Sequence, residues 1–331
     1  MRAAVFNAYG PPDVVHVAEV DKPAPGDDEL LVKVHATTVN RTDCAYRSAR
    51  QFVLRFWTGL SRPTKRPVLG TEFAGEVEAV GSSVTSFSPG DRVFGYVEGT
   101  FGAHAQYLTI PEDGSLAVIP ADLTYEEAAP ATEGSHYALS SLLRAKVCSG
   151  QDVLVNGATG AIGSAAVQLL TAAGVRVSAV CGTPDLELVR GLGADKVVDY
   201  TAGDFTDDER QYDIVFDAVG RSSFGRCRRL LKPGGIYVSS ELGPWLQNAI
   251  LSLVTPIAGR SFDRKKVVFP FPEIDQAMVR RFARLMESGA FRPVIDRRYP
   301  LDDIVEAYKY VETGQKIGSV VIVVDHASRP G

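Results

Sequence analysis

The sequence predicts an α/β protein of two domains, one a β-rich, partly open barrel and the other a doubly wound parallel sheet. Three observations predict this. Residues 1–120 alternate apolar and polar side chains in short runs punctuated by Gly and Pro, as half-buried strands do. From Tyr125 onward, apolar strands alternate with helix-length segments, the pattern of parallel strands joined by helical crossovers. Beyond Pro272 the pattern changes again, to two helices and a strand that rejoin the first domain. The expected division is 1–123 with 271–331 for the barrel and 124–270 for the parallel sheet.

In chain order, the barrel strands are read from runs 30–36, 75–81 and 89–95. The parallel domain opens with a helix over 125–146 and a strand over 152–156. It continues with helix 161–173, strand 175–181, helix 185–192, strands 196–199 and 213–217, helix 222–231, and strands 235–240 and 266–269. The closing segment reads as helix 274–288, an extended run 291–299, helix 301–313 and strand 318–324. No internal repeat or low-complexity linker interrupts the series.

Composition narrows the function. With 331 residues, 45% apolar and 23% charged, the chain is neither disordered nor too small for two cores. A net charge of -5 argues against non-specific nucleic-acid or membrane-surface binding as the main activity. Cys44, Cys148, Cys181 and Cys227 lie far apart, without a C-x-x-C pair, which suits neither a zinc knuckle nor a disulfide framework. Residues 1–10 lack the apolar core of a signal peptide, so the expectation is a cytoplasmic protein.

The chemistry-bearing motif is the strand Val153-Leu154-Val155 running into Gly157-Ala158-Thr159-Gly160-Ala161-Ile162-Gly163 and then a helix. Small residues there let backbone N–H groups and the positive helix terminus approach a pyrophosphate. The next strand ends at Cys181 without the Asp or Glu that binds the ribose 2′-hydroxyl of NAD, which leaves room for a 2′-phosphate.

Those motifs, with 23–32, 39–43, Gly70-Thr71-Glu72-Phe73-Ala74-Gly75, 89–93, Leu192-Gly193-Ala194-Asp195 and Asp217-Ala218-Val219-Gly220, resemble the zinc-independent medium-chain dehydrogenase/reductase family. The branch resembled is that of quinone oxidoreductases and enoyl reductases. The resemblance spans nearly the whole chain. It implies a GroES-like substrate domain, a Rossmann dinucleotide domain and an active site in the interdomain cleft. It aligns Asn40, Thr71 and Glu133 with the three ligands of a catalytic zinc in the metal-dependent relatives. An amide, a hydroxyl and one carboxylate hold zinc poorly, so no metal is expected. Without a Lewis acid, a conjugated acceptor is the easier hydride acceptor, and the expected substrate is a small apolar enone, alkenal or quinone.

Asn40, Tyr46 and Glu133 are the candidate catalytic residues. Asn40 resembles the asparagine set beside the nicotinamide, against a reading as a turn-stabilising residue after a strand. Tyr46 resembles an occasional proton donor, against a ring packed on the domain surface. Glu133 stands between a positioning group and a helix-start carboxylate. Candidate cofactor contacts are Asn40, Gly157 to Gly163, Cys181, Gly182, Thr183, Tyr200, Val219 and Gly220. NADPH is the expected cofactor, with NADH the alternative because Asp185 would repel a phosphate if it turned inward. His136 reads as structural.

Phe52, Phe56 and Leu60 recur at i, i+4, i+8 within a basic stretch (Arg47, Arg50, Arg55, Arg62, Lys65, Arg66). This is read as an amphipathic helix packed on the core, or else a lid over an apolar pocket. The apolar segment 244–256 is too short to span a membrane and reads as a pocket wall or dimer contact. Strand 266–269 lies where such relatives pair sheets edge to edge, so a homodimer is expected. Two other readings stay open: an alcohol or aldehyde oxidoreductase, and a nucleotide-binding pseudoenzyme with a structural role.

Overall fold

The computed structural model describes residues 1–331 apart from 64–66, 98, 242, 244–246, 257–262, 271 and 327–331. The chain divides into two units, Met1–Glu133 with Ile274–Gly331, and Gly134–Glu273. The first runs past the expected limit of 123 because the turns over 125–131 pack on the barrel strands.

The first unit begins with the antiparallel pair β1 (Arg2–Phe6) and β2 (Val15–Glu19), followed by β3 (Glu29–Val39). The helices α1 (Arg41–Ser48) and α2 (Arg55–Thr58) precede β4 (Glu72–Val80), β5 (Arg92–Tyr96), β6 (Tyr107–Pro111) and β7 (Leu116–Val118). The larger sheet pairs β3 with β4 and β6, β4 with β5, and β5 with β7, all antiparallel. Inward-facing Leu30, Val32, Phe73, Val77, Val93 and Leu108 fill its core, as the alternation predicted.

The expected helix 125–146 is broken. It divides into α3 (Tyr125–Ala128), a 3-10 turn over Ala129–Ala131 and α4 (Glu133–Arg144). Pro130, which has no N–H and departs from helical φ/ψ, divides them.

The second unit lays down β8 (Asp152–Asn156), α5 (Ala161–Ala172), β9 (Arg176–Cys181), α6 (Leu186–Gly191), β10 (Lys196–Asp199), β11 (Tyr212–Asp217), α7 (Phe224–Cys227), β12 (Leu231–Ser239), α8 (Gln247–Val254) and β13 (Lys266–Val268). The six strands among its described residues are all parallel, in the order β10-β9-β8-β11-β12-β13. The order reverses between β8 and β11, the switch point where such sheets bind nucleotides. The expected helix 222–231 shrinks to α7 and one 3-10 turn, because Leu231 already begins β12.

The closing segment supplies α9 (Gln276–Glu287), β14 (Ile295–Pro300), α10 (Ile304–Glu312) and β15 (Ser319–Val323), with β15 antiparallel to β3.

The packed amphipathic helix expected after Arg47 is not formed. Phe52, on a 3-10 turn over Phe52–Leu54 that runs into α2, meets Phe56 ring to ring at 5.8 Å, but Gly59 at φ 132 ends α2 before Leu60, and each of the three exposes more than half its surface (59, 58 and 57%). Lys65 and Arg66 lie outside the described residues, as do Pro244, Trp245 and Leu246 of the second apolar segment. No described helix is long and apolar enough to cross a membrane. All four cysteines are free thiols: Cys181 and Cys227 are buried, Cys44 is half-buried and Cys148 is exposed. Burial pushes the Cys44 thiol up to about 12 and those of Cys181 and Cys227 to about 11.

Candidate active site

In the first unit the site grows from the end of β3 and the start of α1. Asn40 is the N-cap of α1, where its Oδ1 accepts from the Asp43 N–H at 2.9 Å and Asp43 Oδ2 accepts from the Asn40 N–H at 3.0 Å. The remaining Asp43 oxygen accepts from the Gly70 N–H at 3.1 Å, tying α1 to the turn before β4. That turn presents Thr71, whose Oγ1 accepts from Asn40 Nδ2 at 2.7 Å. Asn40 is thus both the turn-stabilising residue and an oriented amide.

Glu72, next along β4, is the hub the sequence reading missed. Buried at 1% exposure, it accepts from the hydroxyls of Thr38 (2.6 Å) and Thr132 (2.9 Å) and from the N–H groups of Thr132 (3.0 Å) and Glu133 (2.7 Å). Burial raises its pKa, opposed by these donors, the Glu133 N–H first. Glu133 is the first residue of α4, and its oxygens accept separately from Thr42 Oγ1 and the Tyr96 hydroxyl, both at 2.6 Å. Half-buried Lys316 has its pKa lowered by burial against the attraction of Glu72 and Glu133. Asn40 and Thr71 are thus bonded directly, whereas Glu133 bonds Thr42, Tyr96 and, through its N–H, Glu72.

Beside this network lies His104, fully enclosed and pushed by burial down to about 4. Its Nε2–H donates to the Thr38 carbonyl at 2.7 Å, which leaves a neutral ring. Tyr46 sits half-buried against the barrel core with its ring edge-on to Phe101, 4.8 Å between centroids. His136 is buried on α4 with its ring against Tyr137. Among the described residues, no three or more His, Cys, Asp or Glu side chains group to hold a metal ion.

In the second unit the loop after β8 is built by exclusion of side chains. Gly157 has φ +82, and a Cβ there would stand 1.8 Å from Val219 Cγ2. One at Gly163 would stand 2.0 Å from the Gly157 carbonyl oxygen. Gly160, the N-cap of α5, places no side chain over the helix terminus, and the first turn holds no acid. The first-turn N–H groups of α5 and the helix dipole fit an anionic pyrophosphate.

Opposite, fully buried Asp217 accepts from Asn156 Nδ2 (3.0 Å), the N–H groups of Gly220 (3.1 Å) and Ser222 (3.0 Å), and the Tyr237 hydroxyl (3.1 Å). It thereby shapes the Val219–Gly220 turn at the switch point. At the end of β9, Cys181 accepts through its carbonyl from the Tyr200 N–H at 3.1 Å. The Tyr200 hydroxyl lies 3.4 Å from where a Cβ on Gly182 would stand, so Cys181, Gly182, Thr183 and Tyr200 form one rim.

A doubly wound sheet with a glycine loop at its switch point, joined in one chain to an antiparallel barrel bearing a buried carboxylate network, defines a dinucleotide-dependent oxidoreductase. Residues 26–121 match the model of the alcohol dehydrogenase GroES-like domain and 192–322 that of the zinc-binding dehydrogenase. The chain is 32% identical to a 2-methylene-furan-3-one reductase of Solanum lycopersicum, over 97% of this chain and 79% of that one. It is 31% identical to an NADPH-dependent alkenal/one oxidoreductase, chloroplastic, of Arabidopsis thaliana, with the same shares covered. Among solved structures, the quinone oxidoreductase from Coxiella burnetii superposes with a TM-score of 0.85 at 26% identity, covering 98% of this chain and 99% of that one. This chain belongs to the medium-chain dehydrogenase/reductase family, in its quinone oxidoreductase and enoyl reductase branch.

Proposed function

We propose that the chain transfers hydride from NAD(P)H, without zinc, to a quinone or an α,β-unsaturated carbonyl compound. The observation that carries the zinc-free reading is the Asn40–Thr71 hydrogen bond. Asn40 Oδ1 is committed to the α1 cap, its amide nitrogen to Thr71, and Glu133 to two hydroxyls. Three ligands and an open position are what a catalytic zinc needs, and this donor set is a poor match. The names of the relatives in tomato, Arabidopsis and Coxiella support the acceptor class.

The reduced nicotinamide supplies the hydride when bound. The protein's part is to hold the negative charge that develops on the acceptor oxygen. Asn40 keeps one amide hydrogen after its bond to Thr71, and Thr71 fixes the plane in which that hydrogen points. Solvent supplies the proton that completes the reduction, and Tyr46 serves as packing.

Two further parts belong to this proposal. The chain forms a homodimer, supported by the open edge of β13 and by Ile250, Leu253 and Val254, which α8 leaves exposed. It works in the cytoplasm, a reading supported by its four free thiols.

The test follows oxidation of NADPH and NADH with quinones, enones and alkenals, using chelator-treated protein. Chelator-resistant turnover that falls at least about tenfold in Asn40→Ala is expected. Activity that vanishes with chelator and returns with zinc would end the proposal.

A further inference from the structure

The expectation of NADPH rested on the missing acid at the end of β9. The structure delivers an acid to that rim from the neighbouring strand. In the parallel register, Asp199 at the end of β10 pairs with Cys181 at the end of β9. Its Oδ2 accepts from Thr183 Oγ1 at 2.6 Å, and its Oδ1 accepts from Thr201 Oγ1 at 2.6 Å and the Thr201 N–H at 2.8 Å. The Thr183 hydroxyl first, then that of Thr201, hold the Asp199 carboxyl below its usual range, so it is ionised at neutral pH.

Two kinds of ribose substituent meet this rim differently. A 2′-phosphate only accepts hydrogen bonds and carries close to two negative charges, so it needs donors or cations. The two hydroxyl hydrogens of Thr183 and Thr201 are taken up within a closed cluster, because the hydroxyls stand 2.7 Å from each other as well as 2.6 Å from Asp199, which is itself an anion. Asp185 follows two residues after Thr183, and Arg190, on α6, is ion-paired with Glu187. A 2′-hydroxyl has a hydrogen to give, and both Asp199 and the Thr183 oxygen have lone pairs to receive it.

We propose that Asp199 is a specificity-determining residue of this site, receiving the ribose 2′-hydroxyl of NADH and opposing the 2′-phosphate of NADPH, so that NADH binds at least as tightly as NADPH. This rests on the dinucleotide assignment of the glycine loop and departs from the cofactor in the Arabidopsis relative's name.

The experiment titrates the purified chain with NADH and NADPH separately, following nicotinamide fluorescence. No acceptor is present, so the acceptor class does not enter. Expected is an NADH dissociation constant no larger than that for NADPH. In Asp199→Asn, NADPH should tighten about tenfold while NADH does not. In the unaltered protein, raising NaCl from low to high concentration should narrow the gap between the two cofactors, because the repulsion is screened. Tighter NADPH binding by the unaltered protein, or a parallel shift of both cofactors in Asp199→Asn, overturns the proposal. Binding of neither cofactor overturns the dinucleotide assignment with it, a pattern distinct from lost selectivity alone.

Discussion

Between Gly157 and Gly163 the second unit offers backbone, with side chains removed wherever a Cβ would collide. Around Glu72 the first unit does the reverse, gathering Thr38, Thr132 and the start of α4 onto one buried carboxylate. The loop is continuous in the chain and open to an anion; the network is discontinuous and internally satisfied. Damage to the first should therefore appear in ligand affinity, and damage to the second in stability.

The largest effect is expected at Glu72. Glu72→Ala strands buried donors from Thr38, Thr132 and Glu133 and should lower unfolding free energy by about 3–5 kcal/mol. Denaturant melts read this directly, and Glu72→Gln, which keeps the shape, should lose less. A Glu72→Ala protein as stable as the original would dissolve the contrast between the units.

His104 comes next. In the unfolded chain it takes a proton near pH 6.5, whereas burial holds it down to about 4 in the folded protein. Between those values the unfolded state binds more protons, so stability falls as pH drops through that window and gains nothing above it. The loss is about 3 kcal/mol by pH 4. Midpoints measured across pH 4–7.5 should fall less steeply in His104→Asn.

Gly157→Ala tests the loop. It asks a non-glycine residue to hold φ +82 against Val219 and should weaken dinucleotide binding about a hundredfold with secondary structure kept. Fluorescence titration beside circular dichroism checks both halves. The smallest effect is Tyr46→Phe, expected to change turnover by less than about twofold if the ring's contact with Phe101 is what matters. A large drop in kcat with unchanged KM would restore its hydroxyl as a proton donor.

The same contrast explains what the sequence disclosed. Parallel strands and the glycine loop were legible because period and steric exclusion are local properties. Element ends moved where one residue overrode the pattern, as Pro130 did by dividing α3 from α4 and Gly59 by ending α2 before Leu60. Glu72 was hidden because an acid in a strand reads as a solvent-facing residue until its neighbours are known. Its one signal was its place between Thr71 and apolar Phe73, Ala74 and Val77. Asp199 is hidden for a related reason: its place beside Cys181 comes from the register of β10 on β9, which the spacing along the chain does not carry.

The thiols acquire a meaning from the proposed substrates. Enones and quinones are soft electrophiles, and a cysteine alkylates through its thiolate. Burial keeps Cys44, Cys181 and Cys227 protonated at neutral pH, whereas Cys148 lies exposed. A protein of this design can process compounds that arylate ordinary surface thiols while confining self-inflicted adducts to one position, which also makes Cys148 the natural point for attaching a dye.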